Sequence, residues 1–326
     1  MKKISALICL ILAVCATSAF ALFDVQYYGV RALGMGQAFT AVANDAAAPI
    51  YNVAGTGLLN QIEVTGMSSR LFAGEEGLNF SASFVGAVVP LSRDKSYGTV
   101  SAGWGYLDDV GLHSESLAYL GYSRHLNDLF QTDLFDVSLG VNFKYLNQKY
   151  NRHDLDENLT GFASKDAFAI DAGVLARFAN GISVGYSGKY LNSPNMAFFG
   201  DTYVGDDPDN KNIQRHHVIG LSYFSELLPL LKIPNFTIAA DVEIRKMDTV
   251  WMFGAESKIK ILNSSFLAIR AGGWQQQLTF GAGYAIPFGG EGEDKSFLTI
   301  DYAFILPLQI QNTIGSHFFG LSYRFR

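Results

Sequence analysis

The sequence predicts an all-β fold: a 14-stranded antiparallel transmembrane β-barrel of the bacterial outer membrane over residues 61–326, behind a distinct N-terminal segment. Three observations predict it. Segment after segment alternates apolar and polar residues, at lengths near the 9–11 residues that cross a bilayer as a tilted strand. Aromatic residues gather near the segment ends, where interfacial girdles lie. The two longest gaps between segments fall on the same, outer side.

The chain begins with Lys2 and Lys3, the apolar run ISALICLILAVCATS and an Ala19-Phe20-Ala21 cleavage site, which read as a secretory signal peptide over residues 1–21. The rival reading, a lipoprotein signal ending at Cys15, is disfavoured by Val14 before the cysteine and by the A-x-A site after it. Both cysteines, Cys9 and Cys15, lie in this segment, so the exported chain is expected to hold together without disulfides. Without Lys2 and Lys3 it carries 22 Lys and Arg against 30 Asp and Glu, which argues against nucleic acid as a partner. Hydrophobic residues make up 49% of the chain, yet no run after residue 21 reaches the roughly 18 apolar residues of a spanning helix. An inner-membrane helical protein is thereby disfavoured. With 33 Gly, 25 Phe and 16 Tyr, the composition suits a membrane barrel and also a soluble sandwich.

Alternation places strands at 62–71, 79–90, 97–106, 115–124, 135–148, 167–178, 182–191, 216–226, 236–246, 251–261, 266–274, 278–286, 295–304 and 316–325. In 136–145, Val137, Leu139, Val141, Phe143 and Tyr145 oppose Asp136, Ser138, Gly140, Asn142 and Lys144. A sandwich would turn the apolar face inward; a barrel turns it to lipid. The polar face carries Gly, Ser, Thr and Ala with charges of both signs, as a lumen would. Tyr97, Trp104, Tyr106, Tyr145, Tyr150, Tyr190, Trp251, Trp274, Tyr323 and Phe325 are expected near the girdles. An even strand count closes the barrel, and a first strand running outward puts the gaps 149–166 and 192–215 outside. The apolar turn LLPLLKIPN (227–235) has no evident reason in the sequence.

Signals for chemistry are few. Gly34-x-Gly36 lacks a preceding strand and a third glycine, so it is no dinucleotide loop. GDDPDNKN (205–212) does not match an EF-hand loop, and a solvated loop is the plainer reading. His216 and His217 are adjacent on a strand and face opposite sides, so they do not chelate one metal. No spacing names a nucleophile, so no enzyme, cofactor or metal is expected. Met196, Phe198 and Phe199, in NSPNMAFFG (192–200), are expected as exposed apolar residues of an outer loop, either packing on the rim or forming a landing site for a ligand.

Residues 29–59, GVRALGMGQAFTAVANDAAAPIYNVAGTGLL, are Ala- and Gly-rich and not strand-like. They resemble the N-terminal signature of FadL-like outer-membrane proteins, in particular the PorV/PorQ branch: G-x-R-A-x-G-M-G-x-A-[FY]-x-A-x-A-[DN]-D, then Tyr or Trp and N-P-A-G. This chain supplies Gly29, Arg31, Ala32, Gly34, Met35, Gly36, Ala38, Phe39, Ala41, Ala43, Asn44 and Asp45, then Tyr51, Asn52, Ala54 and Gly55. Val53 stands where the family has proline, so the turn there is expected to differ. The resemblance implies that residues 22–60 form a hatch in the lumen, with Arg31, Gly34, Met35, Gly36, Phe39, Asn44, Asp45, Tyr51, Asn52, Ala54 and Gly55 as its holding and gating residues. It implies passive transport of hydrophobic small molecules, fatty-acid-like compounds or other lipids, with an exit through the wall toward outer-membrane lipid. PorV-like members instead serve type IX secretion and bind secreted cargo proteins at the outer surface. The motif does not separate the two, and a purely structural barrel is the third reading.

Overall fold

The structure, a computed structural model, describes residues 27–325 apart from 75–79, 93–94, 110–112, 127–129, 131, 133, 152–161, 197–211, 229–232, 247, 262–263, 290–294 and 310–312. The expected signal peptide, residues 1–21, lies outside the described residues.

Fourteen strands close into one barrel in which each pairs antiparallel with its sequence neighbours and the first pairs with the last. They are β1 (Ile62–Arg70), β2 (Phe80–Pro90), β3 (Thr99–Asp109), β4 (His113–His125), β5 (Phe135–Asn151), β6 (Phe162–Phe178) and β7 (Ile182–Lys189). The second half is β8 (His216–Leu228), β9 (Ile233–Ile244), β10 (Thr249–Lys260), β11 (Phe266–Trp274), β12 (Gln277–Phe288), β13 (Ser296–Pro307) and β14 (Ser316–Phe325). Closure sets Ile62 opposite Phe325, which leaves no sheet edge facing lipid.

The alternation sorts as expected. Leu139 and Phe143 on β5, Leu221 on β8, Ile238 on β9 and Phe253 on β10 are exposed on the outer wall, while Ser138, Asn142, Lys144 and Asp241 are buried in the lumen. The inverted distribution, apolar outside and polar inside, identifies lipid as the outer solvent.

Four expectations are corrected. Residues 149–151 and 162–166 of the gap 149–166 are strand, because β5 and β6 are both 17 residues long and pair throughout. The apolar stretch 227–235 is also mostly strand: Leu227 pairs with Pro234 and faces outward, so its apolar character belongs to the lipid face. Trp274 and Tyr190 are lumen residues, 4% and 1% exposed, and take no part in a girdle. Tyr190 follows the last residue of β7 and has φ 53°, so the left-handed backbone swings its ring inward, edge-on to His216. Trp104 lies in the middle of β3, opposite Val85 and Ala118, rather than at its end.

Inside the wall sit two short helices, α1 (Val30–Gly34) and α2 (Ala48–Tyr51), and a 3₁₀ helix (Val53–Leu58). Pro49 opens α2 at a position where its missing N–H costs nothing. Asn52 caps the 3₁₀ helix by accepting from Ala54 N at 3.1 Å. Val53 is the first residue of that helix, a position that also tolerates proline, so the backbone there stays proline-compatible. The side chain is buried between β4 and β5.

Candidate functional site

Residues 27–59 cross the lumen, and side chains from around the barrel hold them. On the β10 side, Arg31 donates to both oxygens of Glu256, at 2.8 and 2.7 Å. The same guanidinium reaches Asn44 Oδ1 at 2.5 Å and Asp45 at 3.3 Å, and lies 5.2 Å over the Phe39 ring. Glu256, 1% exposed at its side chain, also accepts from Arg270, which in turn pairs with Asp301 on β13. On β9, Asp241 accepts from the backbone nitrogens of Phe39 and Thr40, at 2.9 and 2.8 Å. On β1, Glu63 accepts from Ala46 N.

The opposite side is held by neutral bonds. Asn52 donates to Thr40 O within the segment and to Val174 O in β6. Ser138 donates to Ala54 O, and Asn142 to Pro49 O at 3.2 Å. Thr56 and Ser123 of β4 share a bond of 2.6 Å. Tyr51 donates to Tyr28 O at 2.7 Å and packs edge-on against Phe39. Thr279 of β12 donates to Gly34 O. Burial pushes the Asp45 carboxyl above the ordinary carboxylate range, while Arg31 pulls it down.

The wall meets this segment through glycines. Gly140 faces Val53 and Ala54, Gly254 and Gly272 face Met35, Gly281 faces Gly34, and Gly320 faces Val30. A methyl group on Gly140 would lie 2.8 Å from Ala54 N, and one on Gly320 would lie 2.8 Å from Val30 Cγ2. The segment's own glycines answer them. Gly36, at φ 60°, lies against the backbone of β11, and a methyl on Gly55 would meet Ala43 Cβ at 2.6 Å. Backbone thus packs on backbone, which no larger residue allows.

Every motif residue of 31–55 is therefore placed in one body. Met35, Phe39, Asn52 and Ala54 are fully buried, and Arg31, Asn44 and Asp45 form one polar group. The barrel-side partners Glu63, Asp241, Glu256, Ser123 and Ser138 were not singled out from the sequence. Their signal was a small or charged residue in mid-strand on the polar face.

The lumen differs on the two sides of this segment. Toward the end where β1 finishes, Leu33, Met35, Phe39, Ile50 and Tyr51 join Met67, Phe84, Leu117, Leu146, Met252 and Phe318 in one continuous buried apolar cluster. Met196 belongs to that cluster at 1% exposure, so it lies inside the lumen and not on an exposed loop. Phe198 and Phe199 lie outside the described residues. One side of this half carries paired charges: Lys144 with Asp171 at 2.5 Å, and Glu243 with His216 and Arg245, both at 2.8 Å. His217 faces the other way, its ring bonded to the Tyr186 hydroxyl. Toward the end where β1 begins is a cavity of about 430 Å³ lined by charged and aromatic residues. Among the described residues no three His, Cys, Asp or Glu gather as a metal site.

No protein-family model and no curated protein matches the chain. Solved structures do. The Ralstonia pickettii toluene transporter TbuX matches with TM-score 0.57 at 13% identity, over 94% of this chain and 100% of that one. The CymD monoaromatic hydrocarbon channel matches with TM-score 0.58 at 12% identity, over 93% and 98%. The Pseudomonas putida toluene transporter TodX matches with TM-score 0.53 at 13% identity, over 94% and 100%. At such identity the likeness concerns the fold, which is FadL-like. It does not distinguish a PorV/PorQ branch.

Proposed function

We propose that this chain is a passive outer-membrane channel for hydrophobic small molecules, gated by the hatch. The observation that carries the reading is the apolar cluster that runs unbroken from Met196 to Phe39 and Tyr51. An apolar solute entering from outside would replace protein–protein contacts there at little cost in polar desolvation. Met196, with Phe198 and Phe199, is assigned to the entry side. The three similar structures are named as toluene transporters or monoaromatic hydrocarbon channels, which points to the same solute class.

The exit toward the bilayer is assigned to the seam between β6 and β7. There the ladder covers only Ala172–Arg177 against Gly188–Ser183. Beyond it, Leu191 N bonds Ile170 O and the Asn192 side chain bonds Phe168 O, so a short turn stands in for a strand. The test is uptake of a labelled arene and a labelled fatty acid by vesicles faced with lipopolysaccharide and carrying the protein. Faster uptake than in protein-free vesicles supports the reading; uptake at the protein-free rate refutes it.

A second reading, a PorV/PorQ-like scaffold for secreted cargo, draws on the β5–β6 hairpin. Beyond the outward aromatic pair Tyr145 and Phe168, its outward residues turn polar, with Asn147, Ser164 and Asp166 bonded together. Capture of a secreted protein by the wild type but not by a chain with this hairpin shortened would favour it.

A further inference from the structure

The outward face of β3–β6 changes character toward the end where β1 finishes, and the transport reading gives that change no task. The strand register sets its residues in rows. Ala102, Leu120, Phe143 and Ile170 form one row, wholly apolar. The next holds Trp104, Ala118, Tyr145 and Phe168. Beyond it come Tyr106, Ser116, Asn147 and Asp166, and then Asp108, Ser114, Lys149 and Ser164. Across the barrel the outward residues of the same end stay aromatic, with Trp251 on β10 and Phe319 of β14 against Tyr302 of β13.

Within these rows the small side chains of β4 make a trough. Ala118, Ser116 and Ser114 form its floor, and two strand spacings, about 10 Å, separate its sides. Trp104 and Tyr106, stacked at 5.7 Å, stand on one side, and Tyr145 and Phe168, with centroids 5.6 Å apart, on the other. The acceptors beside the rings are fixed in place. Asp166 Oδ1 takes the Tyr145 hydroxyl and Asn147 Nδ2, both at 2.6 Å, and Asp108 Oδ1 takes the Tyr106 hydroxyl at 3.2 Å. The second carboxylate oxygens and Asn147 Oδ1 remain as acceptors, and Ser114 and Ser116 add hydroxyls.

Aromatic faces beside fixed acceptors suit a sugar ring, which offers C–H edges to the one and hydroxyls to the other. An acyl chain would cover the acceptors without serving them. A phosphate is disfavoured, because the rows carry Asp108 and Asp166 against Lys149 alone. β4 is paired with a neighbour on each side, so no strand of a partner protein can add to it. The adjoining apolar row supplies the occupant. A lipid whose chains lie on Leu120 and Phe143 places its head in the trough. We propose that this trough binds the neutral sugars of a glycolipid whose acyl chains lie on the adjoining lipid face. The proposal rests on the orientation that puts this end of the barrel outside, and it stands whether or not the lumen conducts.

The test uses the full chain in nanodiscs and reads hydroxyl-radical oxidation of Trp104 and Tyr145 by mass spectrometry. Trp251 is the reference, being 48% exposed against 44% for Trp104. Two disc preparations are compared, one with lipopolysaccharide carrying a neutral hexose core and one with deep-rough lipopolysaccharide that lacks it. The core is expected to slow oxidation of Trp104 and Tyr145 by a factor of 1 + [L]/Kd, on the order of tenfold at ten times Kd, with Trp251 unchanged. Ser116→Leu fills the floor of the trough without touching the lumen, and Asp166→Ala removes a fixed acceptor; both are expected to lower that factor. No slowing by the core, equal slowing at Trp251, or a factor unchanged in both variants overturns the proposal. Protection without the hexose core, whether from the lipid itself, from a second copy of this chain or from a secreted protein supplied to it, assigns the face to that occupant and overturns the proposal as well.

Discussion

Replacing Glu256 by Gln removes the one carboxylate that joins hatch to wall through two guanidinium groups. The change keeps the shape and deletes the charge. Glu256 is almost wholly buried, and it takes two bonds from Arg31 and one from Arg270. Breaking a buried pair of this kind costs about 3–5 kcal/mol, because a charge is left without its partner. Arg31 keeps Asn44 and Asp45, so the low end applies to the hatch, about 3 kcal/mol. At 1.4 kcal/mol per factor of ten, the population of the released hatch rises on the order of a hundredfold. Amide exchange of residues 30–45, followed by mass spectrometry on the barrel in nanodiscs, reads that population directly. Asp301→Asn is the control, since Asp301 pairs with Arg270 within the wall and is expected to leave hatch exchange nearly unchanged. If Glu256→Gln leaves residues 30–45 exchanging as in the wild type, or if Asp301→Asn speeds them equally, the network belongs to the wall and the reasoning is wrong.

Three further outcomes follow from the same contacts. Asp241→Ala strands the buried N–H groups of Phe39 and Thr40, at about 1–3 kcal/mol for each, and is expected to speed proteolysis of the hatch while the barrel stays folded. Unchanged proteolysis would show that those bonds do not hold it. Gly140→Ala pushes a methyl into Ala54 and Val53 and is expected to cost about 1–3 kcal/mol by overpacking, seen as faster exchange at 52–58. Ser138→Ala removes the bond to Ala54 O without adding bulk, and is expected to have the smaller effect.

The barrel was legible because the two-residue period survives wherever lipid lies on one side of a strand and a polar lumen on the other. Phe143 and Lys144 announce their faces without help from neighbours. Strand ends were less legible, since the signal changes above the membrane: β5 and β6 continue as sheet where their outward residues turn from Phe143 and Ile170 to Asn147, Ser164 and Asp166. Tyr190 and Trp274 misled because a ring near a strand end looks the same whether it points to lipid or lumen. Only the backbone angle at Tyr190 decides its direction. The hatch side of the contact was legible from the motif, and each of those residues is buried or bonded where it stands. The wall side was not, because Gly140, Gly254 and Gly272 read as ordinary small residues of a polar face until the segment that rests on them is in place.

The central claim is that the hatch gates the passage, and one disulfide tests it. Thr56 and Ser123 have side-chain oxygens 2.6 Å apart, which puts their Cβ atoms near the separation a disulfide spans. The only native cysteines are Cys9 and Cys15, in the expected signal peptide. In Thr56→Cys/Ser123→Cys, oxidation is expected to abolish uptake of a labelled arene into lipopolysaccharide-faced vesicles, and a reductant to restore it. Equal uptake by the oxidised and reduced protein would contradict the account.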